Sequence, residues 1–175
     1  PLFDGLIFVH NALVGFGVRK QVRILASGKV TSGFGLVKRL ALGAAACYSA
    51  RGMMLALGCI QALKCNSIEC PVGVATQKAS LKAGLVPRQK SQRVANFHRE
   101  TIESLCEMLG AIGLQSTSDL RPWHIMSRIS QTQVKHYGEI YHYLREGDLV
   151  KTPLPEAYER ACNSASAHSF DHVQV

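Results

Sequence analysis

Two short apolar runs alternate with helical patterns in the first third of the chain, and this alternation constrains the fold more than any other feature. Val22-Arg23-Ile24-Leu25-Ala26 and Ala45-Ala46-Cys47-Tyr48-Ser49 read as buried strands. Residues 6–16 are apolar enough for a helix that Gly15 and Gly17 end. Between the strands, Thr31 or Ser32 caps a helix carrying Phe34, Leu36, Val37, Leu40 and Ala41, which Gly43 stops. A third helix is expected from about residue 53 to residue 63. The order helix, strand, helix, strand, helix implies parallel strands joined by helical crossovers, an α/β arrangement. Two strands neither close a barrel nor fill a sheet, and a complete eight-fold barrel takes about 250 residues. The chain has 175 and opens Pro1-Leu2-Phe3-Asp4 with no initiator methionine. It is therefore expected to be the end of a larger α/β domain.

The pattern changes at Cys65. Residues 65–87 lose periodicity, and Asn66, Ser67, Pro71, Gly73 and Gly84 mark a loop. A long amphipathic helix follows, with Val94, Phe97, Thr101, Ile102, Leu105, Leu109 and Ile112 on one stripe and Gly110 or Gly113 at its end. Asp119 caps a short helix with Pro122 early in it. Thr132 caps another whose inner face is Val134, Tyr137, Ile140, Tyr141 and Leu144. Four parts are thus expected: two βα units over residues 1–64, a cysteine-rich loop over 65–87, a helical extension over 88–148 and a flexible tail over 149–175.

Two groups of residues carry chemistry. Ser27-Gly28-Lys29 and Ala50-Arg51-Gly52 are turns that follow neighbouring parallel strands. Backbone N–H groups at such turns, backed by a helix amino terminus, form an anion site, and Lys29 and Arg51 add charge. The glycines alone would also serve simply to turn the chain. The second group is Cys59, Cys65 and Cys70, spaced Cys-x5-Cys-x4-Cys with Pro71 after the last. Thiolates are soft ligands suited to iron–sulfur clusters and zinc. Three of them suit a three-iron cluster, in which each iron takes one protein ligand. A four-iron cluster would want Cys47 or Cys106 as well, and zinc a fourth ligand such as His98. Three ordinary reduced thiols remain the plain alternative.

The formal charge of +8 raises the question of an anionic partner, but the basic residues are scattered and form no run. A solvated surface is the expected role for Arg19, Lys20, Arg23, Lys38, Arg39, Arg88, Lys90 and Arg93, and no nucleic-acid partner is expected. The most apolar stretch, residues 40–63, is broken by Arg51 and three glycines, so it reads as core and not as a membrane span. Reduced cysteines fit a cytoplasmic setting. His98, Trp123 and the other histidines show no ligand pattern, and there is no nucleophile elbow, dinucleotide fingerprint or P-loop.

Taken together, Ala26-Ser27-Gly28-Lys29-Val30, Ser49-Ala50-Arg51-Gly52-Met53, Ala56-Leu57-Gly58-Cys59-Ile60-Gln61-Ala62-Leu63, Cys70-Pro71-Val72-Gly73-Val74-Ala75-Thr76-Gln77 and Arg93-Val94-Ala95-Asn96-Phe97 resemble the FMN-binding domain of glutamate synthases. The likeness runs from about residue 5 to about residue 148. The segment from Leu120 to Tyr141 is similar to the short, stand-alone glutamate-synthase-like proteins. The resemblance implies the carboxyl-terminal portion of a TIM-type (β/α)8 FMN-binding barrel followed by a helical extension. It implies that Ser27, Gly28, Lys29, Ala50, Arg51 and Gly52 hold the FMN phosphate, and that Cys59, Cys65 and Cys70 hold a [3Fe-4S] cluster. It further implies electrons from ferredoxin or an NAD(P)H-oxidising subunit, and reduction of 2-iminoglutarate, formed from 2-oxoglutarate and ammonia, to L-glutamate. A flavin and iron–sulfur barrel with another acceptor, or a non-catalytic metal-stabilised piece, are the competing readings. Gly35 departs from the relatives, which carry Asp after Gly-Phe, and the strands that would hold the flavin ring and the 2-oxo acid lie outside this sequence.

Overall fold

The computed structural model describes residues 2–169. Helix α1 (Leu2–Gly15) leads into strand β1 (Leu25–Ser27), helix α2 (Gly33–Ala41), strand β2 (Ala46–Tyr48) and helix α3 (Ala50–Leu57). The strands pair in parallel, with Leu25 opposite Ala46, Ala26 opposite Cys47 and Ser27 opposite Tyr48. This is the α/β alternation expected from the sequence.

Local signals explain the boundaries. Ser32 starts α2, because its hydroxyl accepts the Gly35 N–H at 3.2 Å. The helix thus needs no acidic side chain at position 35. Gly43, with φ +110, ends it. Two expectations shift. Ala50, Arg51 and Gly52 are the first turn of α3 and not a turn before it. At the other end Gly58, in the left-handed region at φ +104, stops α3 at Leu57, so Cys59 lies beyond the helix and residues 59–63 are irregular.

Helix α4 (Ala79–Lys82) interrupts the expected loop, and α5 (Pro87–Ile112) is the long amphipathic helix. Helix α5 packs on α2 at Gly33, where an added Cβ would stand 2.9 Å from the Leu105 backbone nitrogen. The core between α1, α2 and α5 contains Leu6, Ile7, Val37, Leu42, Leu105 and Leu109. Leu42 and Val37 are almost fully enclosed, and each such side chain contributes about 1.5–3 kcal/mol of burial.

The extension departs further from its sequence pattern. After 3-10 turns at Thr117–Asp119 and Pro122–His124, strands β3 (Met126–Arg128) and β4 (Val134–His136) form an antiparallel hairpin where a helix from Thr132 was expected. Only one turn of that helix exists, α6 (Tyr137–Ile140). The chain beyond it stays extended because buried Asn11 on α1 needs backbone partners. Asn11 Nδ2 donates to the His142 carbonyl at 2.8 Å, and its Oδ1 accepts the Leu144 N–H at 3.3 Å. Helical backbone would have withheld both groups. The segment read as a polar tail contains helix α7 (Glu156–Ser164), with Tyr158 buried beside Leu144 and Leu149 and stacked on Phe8 at 5.1 Å. Residues 170–175 of that segment lie outside the described residues. No helix among the described residues is long and apolar enough to cross a membrane.

Candidate functional site

A cavity of about 490 Å³ lies at the carboxyl ends of β1 and β2. Its walls hold eight of the nine residues singled out from the sequence: Ser27, Gly28, Lys29, Ala50 and Arg51 from the two turns, and Cys59, Cys65 and Cys70 from the loop. The ninth, Gly52, is elsewhere. It is buried beneath the turn, where an added Cβ would stand 2.6 Å from Ser49 Oγ and 3.0 Å from the Val30 carbonyl oxygen. Gly52 therefore lets α3 sit down on the chain leaving β1; it shapes the cavity without lining it.

The first wall suits an anion. Ser49 precedes α3 but does not cap it, because its hydroxyl donates to the Val30 carbonyl at 2.6 Å. The first N–H groups of α3 are left without a side-chain acceptor, at a helix end that favours negative charge. Lys29 adopts φ +53, and Gly28 before it φ +120, conformations that turn successive backbone N–H groups to one side. Arg51 is exposed at the same wall. Behind the turn stands a residue whose part the sequence reading missed. Arg39, expected on the surface, is 5% exposed. Its Nη2 donates to the Gly28 carbonyl and its Nη1 to the Gly35 carbonyl at 2.7 Å, while Nε has no partner among the described residues. The guanidinium braces the turn and adds a cation behind it. No local pattern distinguishes Arg39 from the exposed Lys and Arg around it.

The second wall is the cysteine loop. Cys70 is buried, and the backbone N–H groups that follow it favour its thiolate. The Ala75 N–H has the largest effect, and with those of Val72, Val74 and Gly73 it outweighs desolvation and holds the thiol below the ordinary range. The loop turns at Gly73, at φ +81, where an added Cβ would stand 2.6 Å from the Leu81 carbonyl oxygen. An isolated bridge between Glu69 and Thr76 and a 2.7 Å Lys78–Glu69 ion pair close the loop. Cys59 accepts the Gln61 N–H at 3.4 Å, and Cys65 is exposed. Among the described residues, all four non-glycine residues with positive φ lie in these two walls or between their cysteines: Lys29, Gln61, Leu63 and Ile68. Such conformations cost on the order of 1–3 kcal/mol each and gather at functional sites. The loop is also apolar and open, with Leu63 84% and Ile60 66% exposed.

The donor set discriminates between the metal readings. Cys47 and Cys106 do not reach the cavity, and neither does His98, which is exposed on α5. No three His, Cys, Asp or Glu side chains among the described residues converge as a single metal ion requires. Three thiols, from Cys59, Cys65 and Cys70, line one cavity, the donor type taken by a cluster whose irons each bind a separate thiolate.

Comparisons with known proteins agree with the motifs. Residues 1–115 match the family described as the conserved region in glutamate synthase. The glutamate synthase large subunit-like protein YerD of Bacillus subtilis is 34% identical over 142 residues, 81% of this chain and 27% of that protein. The archaeal glutamate synthase [NADPH] of Methanocaldococcus jannaschii is 37% identical over 121 residues, 69% of this chain and 24% of its own. The glutamate synthase [NADH] of Saccharomyces cerevisiae is 27% identical over 116 residues, 5% of its length. The chain thus spans about a quarter of the first two relatives.

Proposed function

The chain belongs to the glutamate synthase family, and from that membership we propose that it carries the FMN phosphate site and the iron–sulfur ligands of a glutamate-forming oxidoreductase. The carrying observation is the single cavity that joins two anion-binding turns to three cysteines. In this reading β1 and β2 are the last two strands of a TIM-type FMN-binding barrel, in which the loops after the final strands hold phosphate.

Each residue then has a definite task. The N–H groups of residues 27–29 and of the first turn of α3 receive the phosphate oxygens, and Arg51 and Lys29 neutralise their charge. Arg39 keeps the Gly28 turn in place through its two carbonyl bonds. Cys59, Cys65 and Cys70 bind a [3Fe-4S] cluster as thiolates, and the N–H groups of residues 72–75 stabilise the charge on Cys70 sulfur. When bound, the cluster supplies one-electron relay and the flavin supplies a hydride for 2-iminoglutarate, made from 2-oxoglutarate and ammonia. The electron donor is ferredoxin or an NAD(P)H-oxidising subunit.

The test is the full-length gene product purified without oxygen, read by its visible spectrum with iron and sulfide analysis. Flavin bands over a broad iron–sulfur background are expected, with about three irons per chain. Cys65→Ser should lose iron, while Arg51→Gln should lose flavin and keep iron. A colourless wild-type protein, or one containing zinc, refutes the proposal.

A further inference from the structure

A second and larger cavity, about 690 Å³, lies at the opposite ends of the same two strands. Arg23 and Ala45, which line it, come within two residues before β1 and β2, whereas the cysteine cavity begins where these strands end. The 3-10 turns of the extension supply its other wall, including Arg121 and the 56%-exposed ring of Trp123.

The polar lining of this cavity is one-sided. Three arginines line it, Arg19, Arg23 and Arg121, and among the described residues no Asp or Glu does. Arg19 is committed to the fold: Nε donates to His10 Nδ1 at 3.3 Å, Nη1 to the Val22 carbonyl and Nη2 to the Gly43 carbonyl. Arg121 uses only Nη1, on the Ser118 and Leu120 carbonyls. The Arg23 side chain makes no hydrogen bond or ion pair among the described residues. His10 accepts at Nδ1, so its neutral ring carries the proton on Nε2 and is another donor. Tyr143 also lines the cavity, but its hydroxyl is sealed off from it and offers no donor there.

A cavity of this size falls in the range of small-molecule sites, which combine apolar walls with a few convergent polar groups. We infer that it is a binding site for a small organic anion, a carboxylate or phosphate attached to a flat apolar group. The acidic head takes the Arg23 and Arg121 forks, and the apolar part lies against Trp123. The site does not depend on the flavin and iron–sulfur assignment, because none of these residues lines the cysteine cavity.

The inference is tested by calorimetric titration of the full-length gene product with phenyl phosphate, benzoate and benzyl alcohol. At least one of the two anions should bind and the alcohol should not; the tighter anion identifies the preferred head group. Arg23→Gln, which disturbs no hydrogen bond of the fold, should weaken that binding about tenfold or more. Arg51→Gln, at the other cavity, should leave it unchanged. No anion binding by wild type, including the case where other polypeptide fills the cavity, overturns the inference. So does binding that Arg23→Gln leaves intact, or that Arg51→Gln abolishes.

Discussion

Gly52→Ala puts the junction of β1, α3 and α5 to a quantitative test. The added methyl would stand 2.6 Å from Ser49 Oγ, 3.0 Å from the Val30 carbonyl oxygen and 3.3 Å from Phe97 Cε1. The Val30 oxygen is backbone and cannot rotate away. Ser49 can rotate only by giving up its 2.6 Å bond to that same oxygen, which forfeits about 1 kcal/mol. Overpacking of this kind costs about 1–3 kcal/mol, and the helix preference of Ala over Gly returns about 1 kcal/mol. The net expectation is a loss of about 2 kcal/mol. In urea, with m on the order of 1–3 kcal/mol/M, the midpoint should fall by about 0.7–2 M. The shift of α3 should also reach the Arg51 wall and weaken FMN binding. The control is Gly110→Ala on α5, where nothing lies within 4 Å of an added Cβ; it should stabilise by up to about 1 kcal/mol. Urea unfolding followed by circular dichroism, with flavin fluorescence for cofactor release, reads both. A Gly52→Ala protein as stable as wild type, with undiminished flavin binding, would refute the close-approach argument.

Two further perturbations test the charges that sit inside the fold. Burial, helped by the Arg19 guanidinium, pushes the His10 imidazole from its ordinary 6.5 down to about 4. The unfolded chain therefore takes up this proton first, and stability present above pH 6.5 is lost as the pH falls toward 4. The ceiling is about 3 kcal/mol, reduced to about 1–2 kcal/mol by residual solvent screening. His10→Gln should flatten that part of the urea-midpoint profile between pH 7 and pH 4.5, and an unchanged slope would exclude His10 as its source. Arg39→Lys keeps the charge but cannot span the Gly28 and Gly35 carbonyls. One carbonyl loses its donor, at a cost of about 1–3 kcal/mol, and FMN affinity should fall with it; equal affinity and stability would remove Arg39 from the phosphate wall.

Much of this was legible residue by residue. The strand–turn–helix order of residues 22–63, the Ser32 cap and the stopping role of Gly43 follow from side-chain chemistry acting on the nearest few peptides. Glycine allows the positive φ that Gly58 adopts, yet that residue ends α3 six residues earlier than the apolar pattern suggests. Strand β4 and the extended chain after α6 read as one helix in the sequence because Val134, Tyr137, Ile140, Tyr141 and Leu144 satisfy helical spacing. Five apolar residues cannot report that Asn11, more than 130 positions away, takes up the backbone of His142 and Leu144.

The sequence by itself determined the two βα units, the three cysteines with their Cys-Pro-x-Gly motif, and the turns suited to an anion, because propensity, capping and ligand chemistry act locally. Only the tertiary structure decided that turns and cysteines share one cavity, that Arg39 is a buried brace, and that Gly52 is a packing contact. It alone brought Arg23, Arg121 and Trp123 to a second cavity. The physical reason is that the burial of a charge, the closeness of two backbones and the enclosure of a cavity depend on what another part of the chain places opposite, and one-dimensional spacing carries no record of that partner.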